Sequence, residues 1–272
     1  MRIQLPGVTI SYDDSGVQPA TPKPTILFIH GYPLSRKLWM PQMSDLAGSA
    51  RLLSPDLRGF GESDAPPGPY SMELLADDCI TFLDNLGIYE PVILCGLSMG
   101  GYIAFSLYRK HPQRVMGLIL ADTRASADSL EAKANRDKAI ALAEKEGAEA
   151  IARLMLPKML SSRTINTRPE VVEFVRSILL SANVPGITGV LAGMRDRPDS
   201  SSLLAQIAVP TLLIFGEEDE FVPRPEVEAI RDSIKDARLH WIPDAGHLPN
   251  LEQPALFNSL IQNYLVAINK HR

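Results

Sequence analysis

The sequence predicts an α/β fold built on a mostly parallel β-sheet that is flanked by helices. Continuous apolar runs, of which residues 25–29, 91–95 and 211–215 are the clearest, are typical of strands buried on both faces of a parallel sheet. Segments with helical periodicity separate these runs, and strands that alternate with helices of this length favour βαβ units. The composition is that of a globular protein, with 45% hydrophobic and 22% charged residues in a chain of 272.

The other elements follow from the same periodicities. Residues 8–12 alternate as a half-buried strand does, and the proline-containing stretch 19–24 predicts a loop. Further strands are predicted at 51–54, 115–120 and 238–242, and helices at 72–86, 102–110, 225–234 and 254–268.

Residues 125–205 depart from this alternation of strands and helices, because they contain helical stretches and no strand-like run. Helices are predicted at 129–146, 149–160, 169–182 and 187–194. An all-helical insertion between two strands of one sheet is best interpreted as a cap over the carboxyl edge of the strands, where ligands bind in open α/β sheets. We therefore divide the chain into a core of residues 1–124 and 206–272 and a helical cap of residues 125–205.

The net charge and the two cysteines limit the partners, the cellular compartment and the cofactors that are expected. The net charge of −5 argues against nucleic acid or an anionic membrane surface. The N-terminus lacks the apolar segment of a secretory signal, and no apolar run approaches the roughly 20 residues that cross a bilayer. Cys79 and Cys95 are expected to be packed thiols in a reducing cytoplasm. No His/Cys cluster has the spacing of metal ligands, so neither metal nor organic cofactor is expected; the oligomeric state is left open.

The most informative motif is Gly-Leu-Ser-Met-Gly at residues 96–100, which directly follows the apolar run 91–95. A strand, this motif and a helix-compatible segment predict a sharp turn whose central residue is strained and whose side chain stands clear of the sheet. The two glycines are required because a Cβ at either position would collide across the bend. Ser98 is therefore a candidate nucleophile.

A serine hydroxyl is a weak nucleophile until a positioned base accepts its proton. His247 is the candidate base, because it lies in a loop between the last predicted strand and the last predicted helix. His111 and His240 lie at a predicted helix end and inside a predicted strand and are expected to be structural. His271 is one residue from the C-terminus, and His30 is expected to support its own loop by hydrogen bonds.

The base needs a carboxylate that holds its tautomer. Residues 217–220 follow a predicted strand and offer four carboxylates. Asp219 is preferred as the acid, because Gly216 and Pro223 form a compact turn that can aim one carboxylate at the base. The neighbouring acids are expected to form a solvated face. Asp122, which follows an earlier strand, is the competing assignment.

Acyl transfer also requires donors for an oxyanion. One is expected to be the backbone N–H of Met99, which follows the candidate nucleophile at the start of a helix. The other is expected to be the backbone N–H of Tyr32, because Gly31 lets the loop turn inward and Pro33 fixes its exit.

Five motifs occur in a fixed order: His-Gly-Tyr-Pro at 30–33, Asp-Leu-Arg-Gly-Phe-Gly-Glu-Ser at 56–63, Gly-Leu-Ser-Met-Gly-Gly at 96–101, Gly-Glu-Glu-Asp at 216–219 and Ala-Gly-His at 245–247. In this order the chain resembles the α/β-hydrolase superfamily over nearly its whole length, least specifically in the cap. Residues 63–70 and 121–125 make it most similar to capped carboxylesterases and to the 3-oxoadipate enol-lactonase group. The resemblance implies the α/β-hydrolase fold and the catalytic order Ser98, Asp219, His247.

The expected function is that of a serine carboxylesterase, which hydrolyses short- to medium-chain carboxylic esters through an acyl-enzyme intermediate. The partner is then a small-molecule ester or lactone. An enol-lactone hydrolase and a cofactor-free perhydrolase use the same residues and are alternatives, as is a non-catalytic ligand receptor on the same scaffold. A lactone acid would need a cation, which Arg124 or Arg195 could supply. The side chains expected to contact substrate are Leu34, Met155, Met159, Leu191, Val222 and Leu248.

Overall fold

The computed structural model describes residues 1–16 and 23–269, and within them eight strands form one sheet. The strands are β1 (Arg2–Leu5), β2 (Val8–Asp14), β3 (Thr25–Ile29), β4 (Arg51–Pro55), β5 (Val92–Leu97), β6 (Val115–Ala121), β7 (Thr211–Gly216) and β8 (Ala237–Ile242). Their order across the sheet is β1-β2-β4-β3-β5-β6-β7-β8. The β1–β2 and β2–β4 pairs are antiparallel, and every pair from β4 to β8 is parallel. The predicted mostly parallel α/β sheet is confirmed.

The middle of the sheet is buried on both faces. β3 pairs in parallel with β4 on one side and β5 on the other. Its alternate residues serve different cores, because Leu27 and Ile29 belong to one apolar cluster whereas Ile26 and Phe28 belong to the other. The continuous apolar run of this strand is thus explained by helices that cover both faces.

The helices lie on the two faces and in the segment between β6 and β7. They are α1 (Met40–Asp45), α2 (Met72–Asn85), α3 (Met99–Lys110), α4 (Leu130–Met159), α5 (Ser162–Thr167), α6 (Pro169–Leu180), α7 (Val184–Arg195), α8 (Ser201–Leu204), α9 (Arg224–Ser233), α10 (Pro249–Glu252) and α11 (Pro254–Asn269). Among the described residues no single helix has the length and apolar composition to span a membrane; α6 and α7 pass that test as a pair, with a bend of 91° between them.

Differences from the predicted elements are confined to ends and to short segments. The strand predicted at 8–12 extends to Asp14, and α3 begins three residues before the predicted helix, at Met99. The elements β1, α1, α5, α8 and α10 were not predicted, because none exceeds six residues and so none displays a periodicity. The predicted loop at 19–24 lies partly, and His271 wholly, outside the described residues.

The segment between β6 and β7 is helical, as predicted, and contains α4 to α8. α4 is interrupted at Gly147, whose φ of 76° and ψ of −170° are not helical. This break falls between the two helices predicted at 129–146 and 149–160. The left-handed φ explains the glycine, because other residues adopt it at a cost.

α7 packs closely on the loop that follows β4. A Cβ built on Gly186 would lie 1.9 Å from the carbonyl oxygen of Gly59, and one built on Gly193 would lie 1.8 Å from that of Tyr70. The Tyr70 N–H also donates to the Gly189 carbonyl at 2.9 Å. Glycines of α7 therefore allow two backbones to touch where any side chain would separate them.

We predict that Gly186→Ala lowers the free energy of unfolding by about 1–3 kcal/mol, because the new methyl group must displace the Gly59 backbone. This value is the net loss: the cost of displacing the backbone exceeds the roughly 1 kcal/mol by which alanine stabilises a helix relative to glycine. Denaturant unfolding followed by circular dichroism measures the difference. Gly48→Ala is the matched control, since a Cβ there meets nothing within 4 Å. Equal stability of the two variants would contradict the packing argument.

Candidate active site

Ser98 occupies a strained turn between β5 and α3. Its φ of 55° and ψ of −113° lie outside the regions that non-glycine residues favour. A Cβ on Gly96 would lie 2.4 Å from the Gly100 carbonyl oxygen, and one on Gly100 would lie 2.1 Å from that of Ile29. Both glycines of the motif are thus required by close backbone contacts, and the turn has the geometry of a nucleophile elbow.

The backbone of Ser98 is anchored on both sides. Its N–H donates to the Ala121 carbonyl at 2.9 Å, and its carbonyl accepts a hydrogen bond from the Thr123 hydroxyl at 2.7 Å. Its side-chain hydroxyl makes no hydrogen bond with any group in residues 1–16 and 23–269. The strained backbone is therefore fixed, while the hydroxyl is available to react.

His247 and Asp219 are in direct contact. The Nδ1 atom of His247 lies 3.0 Å from both carboxylate oxygens of Asp219, and the two side chains are 4% and 2% exposed. Because Nδ1 faces the carboxylate, it carries the proton and Nε2 is left free to accept one. The Phe221 N–H donates to Asp219 at 2.8 Å, and the Phe221 ring lies 4.7 Å from the imidazole. These contacts fix the imidazole plane.

Ser98, Asp219 and His247 each come after the carboxyl end of a strand, so all three lie at the same edge of the sheet. They follow β5, β7 and β8, which are parallel and separated only by β6. His247 is further fixed by its own backbone, whose N–H donates to the Met159 carbonyl at 3.0 Å. Long or unformed contacts between nucleophile and base are common without a substrate, so the missing Ser98 hydrogen bond is compatible with proton transfer.

Asp122, the competing acid, has a different partner. Its Oδ1 accepts a hydrogen bond from the Gly216 N–H at 2.9 Å, and its Oδ2 is buried without a partner in the described residues. Burial, with the nearby charge of Asp219, raises the pKa of Asp122 well above its usual value. Polar atoms of Asp122, Asp219 and His247 lie within 4.8 Å of one another, a spacing also suited to a metal. Nδ1 of His247 is already hydrogen-bonded to Asp219, however, so this atom is not available as a metal ligand in this arrangement.

The loop after β3 lies against the elbow. A Cβ on Gly31 would be 3.3 Å from the Cβ of Ser98, so the next residue, Tyr32, lies beside the candidate nucleophile. Met99 is the first residue of α3, where the helix dipole favours negative charge. The loop that carries Tyr32 and the start of α3 thus meet at the turn of Ser98.

His30 supports this loop. Its Nδ1 lies 2.9 Å from the Gly31 carbonyl, and its Nε2 accepts a hydrogen bond from the Leu57 N–H at 3.0 Å. Both ring nitrogens are therefore occupied by backbone groups. Burial lowers the pKa of the imidazole, which keeps it neutral.

Glu252, which was not among the residues predicted from sequence, holds the loop of His247. Its carboxylate accepts hydrogen bonds from the Gly246 N–H at 2.7 Å and the Ser161 N–H at 2.8 Å, and the residue is 2% exposed. The Ser161 hydroxyl donates to the Asp244 carbonyl at 3.0 Å. One carboxylate thus joins the end of α4 to the candidate base. A glutamate five residues after His247 is the only signal the sequence gives.

A cavity of about 500 Å³ lies beside Tyr32 and Phe221, and neither Ser98 nor His247 lines it. It is lined by both halves of α4, by Leu191 of α7, and by Tyr32 and Phe221. Of the predicted substrate contacts, Met155 and Leu191 line this cavity. The other four are buried and do not line it: Leu34, Met159, Val222 and Leu248. Leu142, Ile151 and Phe221, which the sequence analysis missed, provide apolar wall instead.

Comparisons with known proteins agree with this architecture. Residues 26–260 match the model of the alpha/beta hydrolase family, and the chain belongs to that family. A thermophilic esterase from Thermogutta terrifontis is 39% identical with a TM-score of 0.94, over 98% of this chain and 99% of that one. An enol-lactonase from Burkholderia xenovorans is 27% identical with a TM-score of 0.90, over 98% and 100%. The 3-oxoadipate enol-lactonase 2 of Acinetobacter baylyi is 26% identical over 91% of this chain and 90% of its own.

We predict that Asp122→Asn raises the free energy of unfolding at pH 8 and that this gain disappears as the pH falls toward about 4. The folded protein keeps the Asp122 proton at pH values where the unfolded chain has released it. Stability of the unmodified protein therefore falls as pH rises through this range, whereas asparagine does not titrate. Urea unfolding of both proteins across the range gives the difference. Parallel profiles would contradict a raised pKa at Asp122.

Proposed function

We propose that the protein is a serine carboxylesterase that hydrolyses short- to medium-chain esters through an acyl-enzyme intermediate. The observation that carries the proposal is the buried hydrogen bond between His247 and Asp219, at the same sheet edge as the strained Ser98. Nucleophile, base and orienting acid are the three parts that this chemistry requires.

In the first half of the reaction the Ser98 hydroxyl attacks the ester carbonyl carbon while His247 Nε2 accepts its proton. The carbonyl oxygen becomes an anion, which receives hydrogen bonds from the backbone N–H groups of Met99 and Tyr32. The intermediate then breaks its bond to the alcohol oxygen, and His247 returns the proton to the departing alcohol. Asp219 stabilises the transient imidazolium, and its burial strengthens that interaction.

In the second half a water molecule attacks the acyl-serine carbonyl and gives a proton to His247. The bond to the Ser98 oxygen breaks, the proton returns to that oxygen, and a carboxylic acid leaves. The nucleophile, the base, the orienting acid and both oxyanion donors are supplied by the chain, so we propose that no metal or organic cofactor takes part.

The relatives support a small ester or lactone as substrate, because one similar structure is named an esterase and another an enol-lactonase. Opening a lactone breaks the same type of acyl–oxygen bond, so enol-lactone hydrolysis is the second candidate, favoured by the likeness to both enol-lactonases. The cavity of about 500 Å³ suits a short or medium acyl chain, with Met155 and Leu191 in its wall.

We also propose that residues 125–205 act as a cap over the site. Support comes from the cavity, which lies between helices of this segment and Tyr32 and Phe221. A cytoplasmic location is proposed from Cys79 and Cys95, which are both buried and unpaired.

We predict that Ser98→Ala lowers the turnover of p-nitrophenyl butyrate by a factor on the order of 10⁶, because the triad acts as a unit. The exposed Ser233 in α9 gives the control variant, Ser233→Ala, which should retain full activity. Thermal unfolding checks that both variants are folded. A fluorophosphonate probe should label Ser98 alone; labelling of another serine, or an active Ser98→Ala enzyme, would refute the assignment.

We predict that Asp219→Asn lowers turnover by roughly 10⁴, because the amide favours the wrong imidazole tautomer. Asp122→Asn should cost much less, since its side chain contacts Gly216 and not the imidazole. Steady-state kinetics on one ester compare the two variants. The reverse order of effects would assign the acid to Asp122.

A further inference from the structure

The cavity is cationic in a protein that is acidic overall. Arg136, Lys138 and Lys158 line it, and no aspartate or glutamate among the described residues does so. The whole chain carries a net charge of −5. A single sign of charge inside a partly closed, low-dielectric cleft concentrates ligands of the opposite sign.

Arg136 is held in place by a buried carboxylate. Its Nε donates to Asp128 Oδ2 at 2.9 Å, and the Asp128 side chain is fully buried. The same carboxylate pairs with Arg124 at 2.8 Å and Arg197 at 2.7 Å. Three guanidinium groups share this one carboxylate, so Asp128 alone does not neutralise Arg136. The two Nη groups of Arg136 make no hydrogen bond to the described part of the chain.

The positive charge of Arg136 acts on Tyr32, which lies in the wall of the cavity. Burial raises the pKa of the Tyr32 hydroxyl, and the positive charge of Arg136 acts against that rise. Tyr32 follows Gly31, which lies against Ser98. Tyr32, which lines the cavity together with Arg136, therefore joins the cavity to the loop that lies against the elbow.

The two arginines suggested by the sequence lie outside the cavity lining. Arg124 pairs with Asp128, and Arg195 pairs with Asp137 at 2.6 Å and Asp196 at 2.7 Å. Neither lines the cavity of about 500 Å³. Arg136 and the two lysines are thus the cationic side chains that line it.

We propose that Arg136, flanked by Lys138 and Lys158, forms a carboxylate subsite, and that the preferred substrates are esters or lactones whose acyl part ends in a carboxylate. The proposal rests on the proposed function. A guanidinium whose Nε is fixed by Asp128 presents Nη donors that suit carboxylate geometry. The side chains of Leu142, Ile151 and Met155 offer an apolar path for the methylene groups between the carboxylate and the ester.

The experiment compares matched pairs of substrates. Monomethyl esters of succinic, glutaric and adipic acid are assayed beside methyl butanoate, pentanoate and hexanoate, which have the same acyl carbon number and lack the charge. Methanol release gives kcat/KM. The unmodified enzyme should favour the half-ester in at least one pair, and high salt should reduce this preference. Equal values in all three pairs would overturn the proposal.

Arg136→Gln should lower kcat/KM for the favoured half-ester by about 10- to 100-fold and leave its uncharged partner within about threefold. Arg153→Gln removes the same charge from an exposed position on α4 and should leave the preference unchanged. Lys138 and Lys158 are exposed and make no ion pair in the described residues, so Lys138→Gln/Lys158→Gln tests the charge without a risk to folding. A preference that survives both cavity variants would also overturn the proposal.

Binding separates this proposal from the proposed function. Ser98→Ala should bind the favoured half-ester in calorimetry, and the added substitution Arg136→Gln should weaken that binding by about tenfold or more. If the unmodified enzyme hydrolyses none of the six esters, the esterase assignment fails and calorimetry alone decides the subsite. Binding that does not depend on Arg136 would refute the subsite even in an active esterase.

Discussion

The close contact of three backbones, β3, β5 and the start of α3, is the constraint on which the candidate site depends. The Cα of Gly100 lies so near the Ile29 carbonyl that a Cβ would come within 2.1 Å of it. This contact forces the chain to turn sharply at Ser98, and hydrogen bonds to Ala121 and Thr123 hold the strained residue. The same contact brings the loop of Tyr32 against the turn, so nucleophile and candidate oxyanion donor are positioned together.

A second constraint joins the helical segment to the candidate base. A buried glutamate is costly unless its oxygens are hydrogen-bonded, and Glu252 satisfies this requirement with the N–H groups of Gly246 and Ser161. Arg168 donates to the Glu252 carbonyl at 2.6 Å. The end of α4 and the loop of His247 are thus one hydrogen-bonded unit. Movement of α4, which lines the cavity, would therefore shift the loop that carries the imidazole of His247.

Neighbouring carboxylates in this protein have different roles because their surroundings differ. Asp219 faces the imidazole Nδ1 of His247 and accepts a hydrogen bond from the backbone N–H of Phe221. Asp122 has one donor and a buried, unpartnered oxygen, so burial favours its neutral form. Asp128 pairs with three arginines; burial acts to raise its pKa, but the hydrogen bonds and charges of Arg136 and Arg197 outweigh that effect and lower it. Each environment, and not the residue type, decides the charge.

The sequence by itself determined the alternation of strands and helices, the mostly parallel sheet and the position of the sharp turn at Ser98, because these follow from local periodicity and from glycine spacing. It also limited the candidate acids to two, Asp219 and Asp122. Only the tertiary structure decided which carboxylate contacts His247, that Glu252 holds its loop, and that Arg136 rather than Arg124 or Arg195 lines the cavity. Two of these contacts join residues that are far apart in the chain, since Asp219 and His247 are 28 positions apart and Ser161 and Glu252 are 91 apart. Local pattern carries no information about such distant pairs, since only the packing of the folded chain decides which side chains become neighbours.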